Sequence, residues 1–180
     1  KKIGKLGLSA RYSYLKATYE SSFIIANEVN TEAADLNGDG EDDIQVRPGN
    51  RIPGLPESTL KIRADYDFSD KFSLGANVIY ASSIFARGDE NNADERGKVP
   101  GYTVVNLDAR YRFTKNFEVF GRINNLFDKE YETFGILAEN AFANPAKTFD
   151  LANAEDEQFR GPGAPRGIWV GLRYNFDAPK

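Results

Sequence analysis

The chain has 180 residues and a net charge of −4, with 28% charged and 41% hydrophobic residues. This length is that of about one ordinary domain. The chain has no cysteine and no histidine, which excludes disulfides, thiolate nucleophiles, Ser-His-Asp triads and histidine-ligated metal centres. No apolar run reaches the ~18 residues of a transmembrane helix, and the negative charge argues against a nucleic-acid surface. Aromatic residues, at 13%, are numerous for so hydrophilic a chain.

Apolar and polar residues alternate in six segments. After Tyr14 the apolar residues of the first segment move from even to odd positions, which predicts a bulge or the end of a strand. The fifth segment is less regular, because Phe120 and Leu126 stand on its polar side. A period of two is typical of strands with one apolar face, so we predict six strands. They cover residues 6–14, 58–68, 72–80, 105–113, 117–127 and 168–176.

The connections between these strands alternate between short and long. Residues 69–71 and 114–116 form tight turns, whereas residues 24–57, 87–100 and 135–165 are long, polar and rich in Gly, Pro, Asn and Asp. In an up-and-down meander this alternation puts the short turns at one end and the long loops at the other, as in outer-membrane barrels. A soluble sandwich would show the same alternation.

Three strands that run in the same direction end in Tyr-x-Phe, and in two of them another Phe opens the next strand. A lipid–water interface selects aromatic rings at one fixed depth, so we predict a membrane girdle. The alternative is that hydrophobic strand ends pack against a loop. The predicted girdle residues are Tyr66, Phe68, Phe72, Tyr111, Phe113, Phe117, Tyr174 and Phe176.

If the apolar faces point to lipid, the charged faces point inward. A narrow barrel of about eight strands fills its interior with side chains, so many inward charges of mixed sign indicate a wide lumen that holds water or a plug. Six strands cannot close such a wall, and we expect one arc of a larger barrel. The inward-facing charged residues are Lys61, Arg63, Asp65, Asp67, Asp108, Arg110, Arg112, Glu118, Arg122 and Arg173.

Two stretches resemble the last hairpins of TonB-dependent outer-membrane receptors. They are Val99-Pro-Gly-Tyr-Thr-Val-Val-Asn-Leu-Asp108 and Asn124-Asn-Leu-Phe-Asp-Lys-Glu-Tyr131, and the segments at 49–56, 161–166 and 171–176 support them. The resemblance implies an all-β fold, an antiparallel up-and-down transmembrane β-barrel in which residues 1–176 supply the six C-terminal strands of 22. In the family the terminal aromatic is normally the last residue, so residues 177–180 are either a short periplasmic tail or an artefact.

The resemblance also implies a function, which is active uptake across the bacterial outer membrane of a scarce, bulky nutrient such as a ferric siderophore. The implied partners are outer-membrane lipid, the upstream barrel strands, a plug domain, TonB through an N-terminal region outside this chain, and a small-molecule or metal-chelate substrate. No enzymatic activity, required cofactor or nucleic-acid partner is expected. Two other functions stay open: a passive-diffusion or structural outer-membrane barrel, and a soluble calcium-binding β-domain.

The segment Asp35-Leu-Asn-Gly-Asp-Gly-Glu-Asp-Asp43 has the spacing of a calcium loop. Oxygen side chains fall at its positions 1, 3, 5 and 9, Gly40 allows the turn, and position 7 offers a carbonyl. The bidentate Glu of position 12 is replaced by Val46, so the segment is either a Ca²⁺ site or a solvated acidic turn. The candidate Ca²⁺ ligands are Asp35, Asn37, Asp39, Glu41 and Asp43.

The last long loop carries candidate ligand-binding residues. Planar guanidinium groups suit anionic ligands, and aromatic rings would line the mouth of the lumen. Alternatively, the rings only pack the loop against itself. The candidates are Phe142, Phe149, Phe159, Arg160 and Arg166.

Overall fold

The computed structural model describes residues 2, 3 and 5–176, with side chains from residue 5 onward, so the predicted tail at 177–180 lies outside the described residues. These residues include no helix that is long and apolar enough to cross a membrane. The strands are β1 Lys2–Ile3, β2 Leu6–Tyr14, β3 Phe23–Ala26, β4 Asp43–Val46, β5 Ser58–Asp67, β6 Phe72–Ala81, β7 Tyr102–Arg112, β8 Phe117–Asn124, β9 Glu132–Asn140, β10 Glu155–Pro162 and β11 Gly167–Tyr174.

The main element is an antiparallel sheet in the order β1-β2-β5-β6-β7-β8-β11. Its strands are neighbours in the order in which they occur along the chain, so the sheet is an up-and-down meander. Short turns join β5 to β6 and β7 to β8 at one end, and long connections lie at the other. The six predicted strands and the all-β antiparallel architecture are confirmed, and β1 adds a two-residue strand at one edge.

The long connections contain two small hairpins that the sequence analysis did not predict. β3 pairs with β4, and β9 pairs with β10. A buried cluster of Ile84, Ala86, Val99 and Leu137 lies where the β9–β10 hairpin meets the connection between β6 and β7. The long connections are therefore folded against one another above the sheet rather than extended into solvent.

One face of the main sheet is apolar except for Ser58 and Thr103 at its long-loop end. Ile62 lies between Ala10 and Val78 in the strand register, and Leu107 lies between Ala76 and Ile123. No charged residue stands on this face in any of the six long strands. Side chains on it are nevertheless exposed, and on β11 the exposed fraction reaches 74%. No part of residues 5–176 covers these exposed side chains, and a continuous apolar face of this kind is suited to lipid.

The height of this face fits a membrane. The outward positions on and just beyond β5 run from Phe68 to Ser58. At about 3.3 Å per residue and a tilt of about 40°, that length gives an apolar band about 25 Å tall, as in outer-membrane barrels.

The aromatic residues at the short-turn end form a repeated module. In the first copy the rings of Tyr66 and Phe68 meet edge to face with centroids 4.7 Å apart, and Phe68 stacks on Phe72 at 5.2 Å. The rings of the predicted girdle therefore lie at one level of the sheet. The same contacts recur between Tyr111 and Phe113 at 4.8 Å, between Phe113 and Phe117 at 5.5 Å, and between Tyr174 and Phe176 at 4.8 Å.

A hydroxyl group fixes each short turn of this module. Ser69 Oγ accepts hydrogen bonds from the backbone N–H groups two and three residues ahead, at 3.2 and 3.1 Å. Thr114 Oγ1 makes the same two bonds at 3.3 and 3.0 Å. These local side-chain bonds replace ladder bonds where the strand reverses, which is why the two turns have the same form.

The strand β8 ends three residues before the predicted boundary, at Asn124. The next residue, Asn125, has a left-handed backbone with φ of 49° and is 2% exposed. Its backbone N–H donates to Asn106 Oδ1 at 2.9 Å, and its Oδ1 accepts from the Lys129 N–H at 2.8 Å. Its Nδ2 donates to the carbonyls of Lys129 and Ala164, at 2.9 and 3.1 Å. This one side chain therefore closes the turn and ties it to the segment that leads into β11.

The rest of the 124–131 motif is also structural. Asp128 accepts a hydrogen bond from the Arg166 backbone N–H at 2.9 Å, and its other oxygen lies 3.3 Å from the Arg166 guanidinium. The ring of Tyr131 lies 4.5 Å from that of Tyr102, and its carbonyl accepts from the Gly163 N–H at 2.7 Å. The motif is thus a brace between β8, β7 and the entry to β11.

The two faces of β6 provide a matched test of the lipid-facing assignment. Val78→Lys puts a charge near the middle of the apolar face, and we expect a loss of about 2–4 kcal/mol in the free energy of unfolding of the full-length protein in bilayers. Asn77→Lys puts the same charge on the opposite face, where we expect less than about 1 kcal/mol. Urea titrations measure both, and equal losses would contradict the assignment.

Two adjacent asparagines provide a second test. Asn125→Ala removes three side-chain hydrogen bonds worth about 1 kcal/mol each, so the free energy for opening the turn should fall by about 3 kcal/mol. Amide hydrogen exchange at Lys129 should accelerate about 100-fold. Asn124 has a buried Oδ1 with no hydrogen-bond partner among the described residues, so Asn124→Ala should leave that rate within about threefold. Similar exchange rates in the two variants would show that Asn125 does not hold the turn.

Candidate functional site

The face of the sheet opposite the apolar one carries every charged side chain of the six long strands. It has seven cationic and four acidic residues, an excess of three positive charges, although the whole chain has a net charge of −4. They are Arg11, Lys61, Arg63, Arg110, Arg112, Arg122 and Arg173, with Asp65, Asp67, Asp108 and Glu118. The ten residues predicted to point inward therefore share one face, and Arg11 joins them.

An ion-pair network crosses three strands of this inner face. Arg63 on β5 donates to Asp65 on the same strand at 3.0 Å and to Asp108 Oδ2 on β7 at 2.9 Å. To reach β7 the guanidinium passes over Gly75 on β6, and a Cβ at Gly75 would lie 2.8 Å from Asp108 Oδ2. The glycine therefore makes room for the network.

A second pair lies near the short-turn end. Arg173 donates to Glu118 Oε1 at 2.7 Å, and its guanidinium lies 5.6 Å from the ring centroid of Phe120. The Phe120 ring covers Gly171, which stands directly opposite it and has no side chain to obstruct it. This packing explains why an apolar residue stands on the charged side of β8.

Five cations of the inner face have no acidic partner within 4 Å among residues 5–176. All five side chains are exposed. Two of them, Arg110 and Arg122, line a depression of about 610 Å³ together with Phe120 and Trp169. The five are Arg11, Lys61, Arg110, Arg112 and Arg122.

Asparagines cross-brace the loops at the other end of the sheet. The Gly88 carbonyl accepts from Asn27 Nδ2 at 2.6 Å and from Asn30 Nδ2 at 2.8 Å. Asn92 Nδ2 donates to the Arg51 carbonyl at 3.0 Å. These bonds join the β2–β5 connection to the β6–β7 connection, which gives the long-loop end a defined surface.

Buried acids stand at this junction. Asp94 accepts from the Thr31 N–H at 3.1 Å and pairs with Arg96 at 2.7 Å, and Arg96 also donates to the Val29 carbonyl. Asp89 is 1% exposed, and burial raises the pKa of its carboxyl to about 6. The nearby Asp94 and Glu90 carboxylates act in the same direction. The loop junction thus holds one acid with an ion-pair partner and one that titrates near pH 6.

The predicted calcium loop is curled by its own acids. Asp35 Oδ1 and Oδ2 accept from the N–H groups of Gly38 and Gly40, at 2.6 and 3.2 Å. Asp39 Oδ1 accepts from the N–H two residues ahead, and Asn37 Nδ2 donates to Asp39 Oδ2 at 2.8 Å. These bonds lower the pKa of the Asp39 carboxyl. Among the side chains of residues 5–176, no three acidic groups converge as a ready metal site.

Asp43 differs from the other candidate calcium ligands. It lies at the start of β4, where Ala26 and Ala34 pair with it on either side, and it is 4% exposed. Its Oδ2 is buried with no hydrogen-bond partner in the described part of the chain. A buried carboxylate oxygen without a partner is costly, so this atom has the capacity to bind one more donor or cation.

The structure does not gather the five candidate ligand-binding residues into one site. Phe142 and Phe149 meet edge to face at 5.7 Å at the tip of the β9–β10 hairpin, with exposed fractions of 50% and 69%. Phe159 and Arg160 lie within β10, where Arg160 Nε donates to the Gln158 side chain at 2.8 Å. Arg166 lies below the hairpin, held by Asp128. The exposed aromatic pair is the part best placed to contact a ligand.

The loop bracing and the unpaired cations were not predicted from the sequence. The many asparagines of the loops were the only feature of the local sequence that could have indicated the bracing. The residues that they bond are about 40 to 60 positions away in the sequence. The unpaired cations can be found once the strand register is known, because the register shows which charged residues stand side by side on the same face. In that register Arg11 stands directly opposite Lys61.

Known proteins share this sheet. A family model described as "TonB dependent receptor-like, beta-barrel" matches residues 4–126. The probable TonB-dependent siderophore receptor PiuA of Acinetobacter baumannii is 27% identical over 129 residues, which are 72% of this chain and 15% of the relative. The metal-pseudopaline receptor CntO of Pseudomonas aeruginosa is 25% identical over 134 residues, 74% of this chain and 16% of the relative.

A solved structure shows the same fold. The crystal structure of the siderophore receptor PiuA from Acinetobacter baumannii matches 96% of this chain and 20% of that chain, with a TM-score of 0.59 and 19% identity. The chain spans about a sixth of the length of the two curated relatives. The family match covers well over half of the chain, and its members are outer-membrane barrels and not enzymes, so the soluble calcium-binding domain is ruled out. The chain belongs to the TonB-dependent receptors, and its six long strands are part of the β-barrel of such a receptor in the outer membrane.

Proposed function

We propose that the chain is the C-terminal part of an active transporter that takes up a metal chelate of the ferric-siderophore kind. The family match carries this proposal, and the siderophore and metal-pseudopaline receptors among the relatives support the substrate class. A passive-diffusion or structural barrel is the competing function. The two differ in their need for energy, because only active uptake depends on TonB.

In this proposal the long loops form the capture surface for the chelate. The asparagine bracing holds the β2–β5 and β6–β7 connections together, and the Phe142–Phe149 pair lies at the tip of the β9–β10 hairpin. Exposed aromatic rings present apolar area at little conformational cost, which suits a planar or apolar ligand face. In this proposal the loops bind the chelate, a plug domain closes the lumen, and TonB supplies the energy that moves the plug.

The energy requirement is tested on cells that produce the full-length receptor as their only ferric-chelate receptor. We expect uptake of radioactive iron from a panel of ferric siderophores, and we expect it to cease when TonB is deleted or the proton-motive force is dissipated. Uptake that continues under both conditions would favour the passive barrel. No uptake of any ferric chelate would contradict the substrate class.

The aromatic pair is tested by a double variant. Phe142→Ala with Phe149→Ala removes two rings of the capture surface, and we expect affinity for the transported chelate to fall about tenfold, or about 1.4 kcal/mol. Leu151→Ala is the matched control, because Leu151 is 60% exposed in the same loop but belongs to no ring pair. Equal affinities of the double variant and the control would remove the pair from the binding surface.

We also propose that residues 35–43 bind Ca²⁺ and that the ion stiffens this loop. The observation in favour is Asp43 Oδ2 at position 9 of the motif, which is buried and has no hydrogen-bond partner among the described residues. Ca²⁺ prefers several carboxylate and carbonyl oxygens, and Asp35, Asn37, Asp39 and the Glu41 carbonyl are the remaining donors of the set. Binding would require Asp35 and Asp39 to exchange backbone N–H partners for the ion.

Calorimetry on the full receptor tests this site. Wild type should release or absorb heat with Ca²⁺, and Asp39→Ala and Asp43→Asn should each weaken binding at least tenfold, since each removes one ionised ligand. Asp42→Asn changes the charge next to the motif without removing a ligand, and it should bind almost as wild type does. Equal heats in all four proteins would leave only the solvated acidic turn.

A further inference from the structure

Asn37 is followed by Gly38 in the exposed loop at 35–43, and this is the only Asn-Gly pair in the chain. Such a pair can react with itself, because the backbone nitrogen after an asparagine can attack the carbon of the side-chain amide. A side chain on the following residue hinders that attack, and glycine has none. Gly38 also has a φ of 81°, a left-handed backbone that glycine adopts without strain. The local sequence and backbone therefore permit this reaction at Asn37.

The hydrogen bonds of the loop hold the two reacting groups together. Asn37 Oδ1 accepts from the Asp39 N–H at 2.8 Å, and Asn37 Nδ2 donates to Asp39 Oδ2 at 2.8 Å. Both bonds run to the residue two positions ahead, so the Asn37 amide is folded back over the intervening peptide, as in an Asx turn. This arrangement brings the amide carbon towards the Gly38 nitrogen and reduces the entropy that the attack must lose.

The same loop supplies polar groups at the atoms that change during the attack. The Gly38 N–H donates to Asp35 Oδ1 at 2.6 Å, so a carboxylate stands where the proton of the attacking nitrogen must leave. The Asp39 N–H that bonds Asn37 Oδ1 stabilises negative charge that develops on this oxygen. The loop thus provides a proton acceptor and an oxyanion donor for the reaction.

We propose that Asn37 is a site of spontaneous deamidation, which the groups of its own loop accelerate. The Gly38 nitrogen bonds to Asn37 Cγ as its proton passes to Asp35, and the Cγ–Nδ2 bond breaks as Nδ2 takes up a proton and leaves as ammonia. Water then opens the cyclic imide at either carbonyl and gives aspartate or isoaspartate at this position. One water molecule is consumed and one ammonia is released, with no oxidant or reductant.

The reaction changes the loop in two ways. Both products add one negative charge within the candidate Ca²⁺ ligand set, and isoaspartate also adds one carbon to the backbone of the curled segment. Receptor molecules of different age therefore differ in the charge and shape of this loop. The inference goes beyond the proposed function, and it does not require the loop to bind Ca²⁺.

Incubation of the full-length receptor in outer-membrane vesicles at neutral pH tests this site. EDTA keeps the loop free of Ca²⁺, and tandem mass spectrometry follows the conversion of Asn37 over days. We expect conversion in the folded receptor to be at least about threefold faster than in the same protein unfolded in urea, because the folded loop aligns the reacting groups. Asn153, which is also exposed but is followed by Ala154, should keep its amide.

Two variants separate the role of Asp35 from that of the loop charge. Asp35→Asn can still accept a hydrogen bond from Gly38 but cannot take its proton, so conversion in the folded receptor should slow at least about tenfold. Asp42→Asn removes an equal charge from a side chain that bonds neither Asn37 nor Gly38 in the described part of the chain, and it should convert at the wild-type rate.

Two outcomes would overturn the proposal. Conversion of Asn37 that is no faster in the folded receptor than in urea would show that the loop gives no acceleration or protects the amide. An equal slowing in Asp35→Asn and Asp42→Asn would mean that only the net charge of the loop matters and that Asp35 takes no proton.

Discussion

The alternation of side chains along an extended strand is the constraint on which this structure depends. Successive side chains point to opposite faces, so a strand with one face in lipid must place every charge on the other. All six long strands obey this rule, with eleven charged residues on one face and none on the other. The charged inner face and the apolar outer band are two consequences of the same period.

The two ends of the sheet differ for a related reason. At the short-turn end each reversal is fixed by one hydroxyl group, and the aromatic rings beside it lie at a single level. At the other end the chain is free of the bilayer, and its long connections are held by side-chain bonds between loops and by the Asn125 turn. The end that faces the ligand in the proposed function is therefore built from tertiary contacts, which permits its sequence to vary without altering the barrel wall.

What the sequence could predict follows from this division. In strands such as β5 and β7, apolar and polar residues alternate over ten or eleven residues, and the Tyr-x-Phe repeat marks their ends. The local sequence pattern was therefore sufficient to predict these strands. The hairpins β3–β4 and β9–β10 escaped prediction because their strands pack through residues such as Leu137 and Val46, whose burial depends on distant partners. The candidate ligand residues lie at separate places, from the tip of the β9–β10 hairpin to its base, because residue type alone carries no information on their distance from one another.

The most direct measurement of the two-faced sheet uses the absence of cysteine from the chain. Single cysteines introduced at each position of β6, from Phe72 to Ala81, are spin-labelled in the full receptor in bilayers, and relaxation by oxygen and by a water-soluble nickel chelate is compared. We predict alternation with a period of two, with high oxygen access at the even positions and low oxygen access at the odd ones. A constant ratio along the strand, or alternation with the opposite phase, would contradict the account.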